Sequence, residues 1–400
     1  MSRRPTILLA SALAAGLALG ACAEGSTGGS ERSTPASTEP TLVTAPREAR
    51  VDLARPTFSN PTEITNPLFP ITELTQVLQL GEEAGAALRF EVTLLPETKV
   101  VEWKGERVET VVSQFVGYSD GQILEVAVDF FAQADDGSVW YFGEDVDNYK
   151  KGVLDNHEGT WLAGKDGPPG MIMPADPQVG DVYRPENVPG FVFEEVTVKS
   201  VGETVAGPTG PVDGAIIIQE LLMDGLLEDK TFTPGYGEFH FAVPEEKELV
   251  DLALAVPTDA RSGPVPAELS AVSTGVEAIV SAASSEDWST ADATLATVTE
   301  AWAAYQEGDV PELLAAEMEA TIAALADAVG SQDAAATRQA AIPASHASLD
   351  LQLQYRAPAD VDGDRLGLWE AQLALDSESA DKVAVRSDRV IIETIQARLP

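Results

Sequence analysis

ERVETVVSQFVGYSDGQILEVAVDFFAQADDGSVWYFGEDVDNY, residues 106–149, decides the fold class. Branched and aromatic residues crowd three runs, 106–119, 122–133 and 139–149, with partial apolar–polar alternation, the period of a half-buried strand. Between the runs stand Asp120-Gly121 and Asp136-Gly137. Asp-Gly between two such runs is a hairpin signal, because a two-residue turn needs backbone angles that glycine adopts freely. Three strands joined by two tight turns form an antiparallel meander.

The same signature extends outward, through AALRFEVTLL (86–95), FVFEEVTVKS (191–200), AIIIQELLM (215–223) and EFHFAV (238–243). No helix of ordinary length interrupts these runs, which excludes a doubly wound parallel sheet. A mostly antiparallel β-domain, curled or barrel-like to protect its edges, is expected over residues 57–256. VPTDARSGPVP then breaks the pattern with three prolines and a glycine, so residues 257–266 read as a linker.

Beyond it the period becomes helical. VPELLAAEMEATIAALADAVG (310–330) lines up Leu314, Met318, Ile322, Leu325 and Val329 on one stripe. Asp309 and Glu312 make a capping-box-like start, and Gly330 stands at the C′ position. Residues 289–305 repeat the design with Ser289 and Asp292 at the start. Further helices are expected near 267–283, 332–355, 363–376 and 380–398, with Pro343 kinking or splitting the fourth. Short connections imply antiparallel neighbours, so residues 267–400 read as an α-helical bundle. The fold class is α+β.

The N-terminus sets the compartment. Arg3 and Arg4 precede a short apolar run from Ile7 to Leu19, the layout of a secretory signal over residues 1–21. Leu19-Gly20-Ala21-Cys22 resembles the lipobox of bacterial lipoproteins. The resemblance implies that the Cys22 thiol carries lipid after cleavage and holds the chain to the extracytoplasmic face of the cell membrane. Residues 22–56 are rich in Gly, Ser, Thr, Pro and charge without an apolar period, the composition of a disordered tether. Cys22 is the only cysteine of 400 residues. With it lipidated, thiol catalysis, cysteine-ligated zinc, iron–sulfur clusters, disulfides and covalent haem are all excluded. No cofactor is expected.

Charge narrows the partners. Twenty-five Lys and Arg face 65 Asp and Glu, a formal net charge of −40. Such a surface repels phosphate backbones, so no nucleic-acid partner is expected.

Longer motifs carry a second resemblance. FSNPTEITNPLFP (58–70), DFFAQADDGSVWYFGEDVDNY (129–149), GTWLAGKDGPPGMIMPADPQVGDVYR (159–184) and TPGYGEF (233–239) resemble a pattern of secreted bacterial proteins of unassigned function. It spans roughly residues 57–243 and implies an extracytoplasmic β-domain, with no catalytic residue to carry over. LDLQLQYR (349–356) and RLGLWEAQLALD (365–376) share that likeness more faintly.

Candidate sites are few. In the third strand Val139, Tyr141 and Gly143 are expected on one face and Trp140, Phe142 and Glu144 on the other, both faces covered. Glu144, Asp145 and Asp147 are placed in the exit turn, where carboxylates could hold a hard cation with Asp166, Asp176 or Asp181. Their spacing matches no EF-hand loop. His346 precedes Asp350 by four residues, so the two share a helical face and form a second metal candidate. Bundle metal centres use Glu-x-x-His on two helices, and that motif is missing. GYSDG (117–121) fits G-x-S-x-G, but strand follows it where a nucleophile elbow needs helix, so Ser119 reads as a turn residue. DVDGD (360–364) fails the calcium-loop pattern at its sixth and twelfth positions, and Asp362 or Asp364 reads as a helix N-cap.

The sequence thus points to a membrane-anchored binding module without catalysis of its own, whose partner is an envelope protein or a small apolar ligand. The alternatives are a divalent-metal-handling accessory protein and a carboxylate-based cell-envelope hydrolase.

Overall fold

The computed structural model describes residues 42–258 and 263–399; the expected signal, Cys22 and much of the expected tether lie outside them. Fifteen strands form one curled, unclosed sheet in which all strand–strand pairing is antiparallel, followed by six helices. The α+β layout is as expected.

The order across the sheet is β10 (Asn187–Val188), β11 to β15, β1 to β5 and β6 (Val153–Asn156), with three short strands off this path. The principal strands are β1 (Leu74–Glu83), β2 (Ala86–Trp103), β3 (Glu106–Ser119), β4 (Gln122–Gln133) and β5 (Val139–Lys150), then β11 (Val192–Gly207), β12 (Gly210–Leu222), β13 (Leu227–Thr233), β14 (Gly237–Val243) and β15 (Glu248–Pro257). β15 pairs with β1, so the last strand of the sequence closes against the first and the sheet wraps around. Ser119 pairs with Gln122, and both Asp120 and Gly121 have positive φ, the geometry of a primed two-residue turn. Ser119 is therefore the last residue of a strand, as its sequence context implies.

The helices are α1 (Ala267–Ser284), α2 (Trp288–Tyr305), α3 (Glu312–Gly330), α4 (Ala334–Gln352), α5 (Pro358–Glu378) and α6 (Lys382–Arg398). Several termini differ from expectation. The N-cap of α2 is Asp287, whose carboxylate accepts from the Thr290 backbone N–H, rather than Ser289. α3 starts after Pro311 with no side-chain cap, and Gly330 is its last residue rather than lying beyond it. α4 runs on through Pro343. α5 opens one turn earlier than expected because Pro358 supplies a preset φ at its first position. That turns Asp362 from a cap into a buried interior residue of the helix.

Sheet and helices share a core. Leu78, Ala253, Leu254 and Val256 pack with residues of α1 to α5. Val116, Tyr118 and Ile123 pack with Ile391 and Ile395 of α6. Alternation in β2 serves both sides: Leu88 and Phe90 face into the curl, whereas Arg89 and Glu91 face the helices. Hairpin tips are also tied to α6, with the Ile123 N–H donating to Ser387 Oγ at 2.8 Å and Arg386 donating to Lys151 O at 3.0 Å.

Candidate functional site

The stretch that opened the sequence reading hides a correction. Asp129 pairs with Glu144 while Phe131 pairs with Tyr141, so Phe142 and Gly143 together oppose one residue of β4. This bulge puts Tyr141 and Glu144 on the same side, into the curl, where strict alternation would separate them. Gly143 has φ +119°, and a Cβ there would lie 2.2 Å from Trp161 O, so only glycine fits. β5 continues to Lys150, which places Glu144, Asp145 and Asp147 in the strand rather than in a turn. Glu144 is fully buried; Asp145 is exposed and pairs with Lys99, and Asp147 pairs with His157 at 2.8 Å. Strand alternation thus buries Glu144 and puts Asp145 and Asp147 on the opposite, accessible face.

Inside the curl lies a group of acids that only the fold brings together. Tyr141 Oη donates to Asp129 Oδ1 at 2.7 Å, and Trp161 Nε1 donates to Glu186 Oε1 at 2.6 Å. Lys230 Nζ lies 2.8 Å from Glu220, 3.2 Å from Glu228 and 3.7 Å from Glu238. Glu194 is 1% exposed and neither of its oxygens has a partner. One ammonium cannot neutralise this many carboxylates, so protonation does the rest. Burial pushes Asp129 up to about 7 and Glu186 up to about 8. It raises Glu144 well above the usual carboxylate range, with Glu186 and Asp129 adding to it. Glu228 is pushed up to about 8, again by burial, against the pull of Lys230. The space beside Glu194 and Lys230 is only about 20 Å³, room for one water, and the adjoining apolar hollow around Phe69, Leu74 and Val92 is about 70 Å³. The interior of the curl is a filled core.

Between sheet and helices the arrangement is different. A cleft of about 600 Å³ is walled by β1 to β4 on one side and by α3 to α6 on the other. Its floor is a closed ion-pair network. Arg89 grips both oxygens of Asp350, at 2.6 and 2.9 Å, and also bonds Glu91 at 2.9 Å. Arg365 bonds Asp350 and, at 3.1 Å, Asp362. Arg398 grips both oxygens of Asp362, at 2.7 and 2.8 Å, and reaches Glu91 at 3.0 Å. Three guanidiniums thus meet three carboxylates, all but Arg89 nearly fully buried. Burial opposes the charge on Glu91 and Asp350, but the surrounding guanidiniums outweigh it and hold both carboxyls below their usual range.

His346 and Asp350 stand one turn apart in α4. His346 lines the cleft and lies 5.2 Å from the Trp369 ring, while the carboxylate of Asp350 beneath is taken up by Arg89 and Arg365. Burial, assisted by Arg365 and Arg89, pushes His346 down to about 3, so its imidazole is neutral at physiological pH. Among the described residues no three His, Cys, Asp or Glu are placed to hold a metal ion.

Three polar atoms of cleft-lining residues, Arg365 Nε, His346 Nε2 and Glu317 Oε2, are buried behind its surface without a partner, while the Asp388 carboxyl meets that of Asp376. Burial pushes both Glu317 and Asp388 up to about 7, with Asp350 adding to the first and Asp376 to the second. Two other hollows of similar size, about 630 Å³ among α1, α4 and α5 and about 570 Å³ beside the β11–β12 turn, have no such atom in their linings. Tyr118 and Trp369 stack across the sheet–helix boundary at 6.4 Å and form an aromatic wall.

Sequence reasoning missed Arg89, Glu91, Arg365 and Arg398. A faint signal existed: charged residues at positions that a strand or helix period assigns to a buried face. Compared with family models, with curated proteins and with solved structures, the chain matches none.

Proposed function

We propose that this chain is a lipid-anchored extracytoplasmic binding module with no chemistry of its own, and that it holds a small molecule in the cleft between sheet and helices. One observation carries the reading: an open cleft of about 600 Å³ combines a charge-balanced floor with an aromatic wall. That volume is in the range of small-molecule sites. The floor draws on β2, α4, α5 and α6, so its groups are positioned before a ligand arrives, which lowers the cost of binding. The anchor rests on Leu19 to Cys22 and the tether on the composition of residues 22–56.

Mass spectrometry of the protein extracted from its native membrane in mild detergent tests both parts. The expected chain begins at an acylated Cys22 and releases a small molecule on denaturation. Ala384→Trp, which fills the cleft, is expected to abolish that retention. An unprocessed, unacylated chain would defeat the anchor. Equal retention by Ala384→Trp would defeat the cleft, and turnover of the retained molecule would favour a hydrolase instead.

A further inference from the structure

The charges around the cleft narrow what it takes, on the premise that the cleft is the ligand site. They fall into two sets. On the floor three guanidiniums, Arg89, Arg365 and Arg398, are matched by three carboxylates, Glu91, Asp350 and Asp362, and that set sums to zero. Around it stand four further acids: Asp120 at the β3–β4 turn, Glu317 on α3, Asp376 on α5 and Asp388 on α6. None of these four is in an ion pair among the described residues. Asp120 is exposed and Glu317 and Asp376 are half-exposed, so part of this charge lies at the open surface. Asp376 meets Asp388 rather than a base, and the Gln372 amide donates to it at 2.9 Å. The field in the cleft is therefore negative, and the formal net charge of −40 adds to it.

Three rings stand beside these acids. Trp369, half-exposed on α5, has the Tyr118 ring of β3 stacked on it at 6.4 Å and the His346 ring of α4 at 5.2 Å. Burial keeps His346 neutral, so it adds no positive charge. Trp369 and Asp376 are spaced i and i+7, which puts ring and carboxylate on one face of α5. The face of an indole attracts a cation, more strongly than a phenol or a phenyl ring does. Ile342, Pro343 and Ala384 supply apolar wall alongside.

The other ligand classes fit this surface poorly. An anion would meet four uncompensated acids, while the charge of the guanidiniums is already matched. A neutral apolar molecule would take carboxylates out of water with nothing to offset the loss. A bare metal ion needs several ligands converging on one point, and no three His, Cys, Asp or Glu among the described residues do so. A positive charge on an apolar body answers both the acids and the rings.

We propose that the cleft binds an organic cation, a protonated or quaternary amine, whose charge is held by the acids of the rim, Asp376 foremost, and whose apolar body packs against Trp369.

Titration calorimetry on the full chain tests this with one ring carrying three charges: benzylamine, benzyl alcohol and benzoate. Benzylamine is expected to bind about tenfold tighter than benzyl alcohol, and benzoate not to bind. Asp376→Asn keeps the shape of a half-exposed side chain. It is expected to weaken benzylamine severalfold and to leave benzyl alcohol unchanged, and added salt should likewise weaken benzylamine alone. Benzyl alcohol or benzoate binding as tightly as benzylamine, or benzylamine binding unchanged in Asp376→Asn, would overturn the cation. The cleft itself would stand if Ala384→Trp abolished whatever binding is seen. Binding by none of the three probes would overturn both.

Discussion

Two groups of buried carboxylates in this chain reach opposite solutions to the same problem. At the sheet–helix boundary Glu91, Asp350 and Asp362 are matched one for one by Arg89, Arg365 and Arg398. Inside the curl Lys230 stands beside Glu194, Glu220, Glu228 and Glu238, while burial governs Asp129, Glu144 and Glu186. In the first group guanidiniums stabilise the charged form and hold Glu91 and Asp350 below their usual range. In the second, desolvation dominates and raises Asp129, Glu144, Glu186, Glu194, Glu228 and Glu238. A buried acid is therefore not one kind of feature. What surrounds it decides whether it acts as an ionic clasp or as a neutral hydrogen-bonding group.

The largest effect should come from breaking the clasp. Asp350→Ala leaves Arg89 and Arg365 without their main partner, and loss of about 3–5 kcal/mol is expected in chemical denaturation. A loss below about 1 kcal/mol would show that the network is solvated and not closed. Next comes the bulge. Gly143→Ala places a side chain at φ +119° against Trp161 O and should cost at least about 2 kcal/mol, because β5 must shift. Since the bulge aims Glu144 inward, the same variant should also alter the pH dependence described next.

That dependence separates the two groups by sign. The depressed values of Glu91 and Asp350 contribute stability that is present above the unfolded value of about 4 and lost as pH falls through the folded value. Asp129, Glu186 and Glu228, raised to about 7, 8 and 8, contribute in the reverse sense. For them the folded state binds more protons than the unfolded one between pH ~4 and ~8, so stability declines as pH rises through that window. Stability should therefore peak near pH ~5, and Tm at pH 8 should lie several degrees lower. A Tm that rises steadily from pH 5 to 8 would refute the protonated interior. Smallest is Glu194→Gln. It should stabilise the chain by about 1 kcal/mol at pH 8, where the charged form is costly, and by almost nothing at pH 5.

Much of the architecture was legible because it follows from local period and turn chemistry. Asp120-Gly121 marks a hairpin whatever the rest of the chain does, and the stripe Leu314, Met318, Ile322, Leu325 and Val329 marks a helix. Local rules also misled. Asp362 has the residue type and spacing of an N-cap, yet Pro358 starts the helix earlier and Arg365 and Arg398 claim the carboxylate. His346 and Asp350 were visible as a pair because they lie one helical turn apart. Their surroundings were not, because Arg89 stands 261 residues from Asp350, and Arg398 stands 307 residues from Glu91.

By itself the sequence determined the α+β class, the strand and helix content and the excess of acids, since each depends on residues close together in the chain or on simple sums. The curl of the sheet, the filling of its interior and the cleft beside it were decided only in three dimensions. Burial and charge pairing are set by neighbours in space, and a one-residue bulge at Phe142-Gly143 suffices to reverse which way an acid faces.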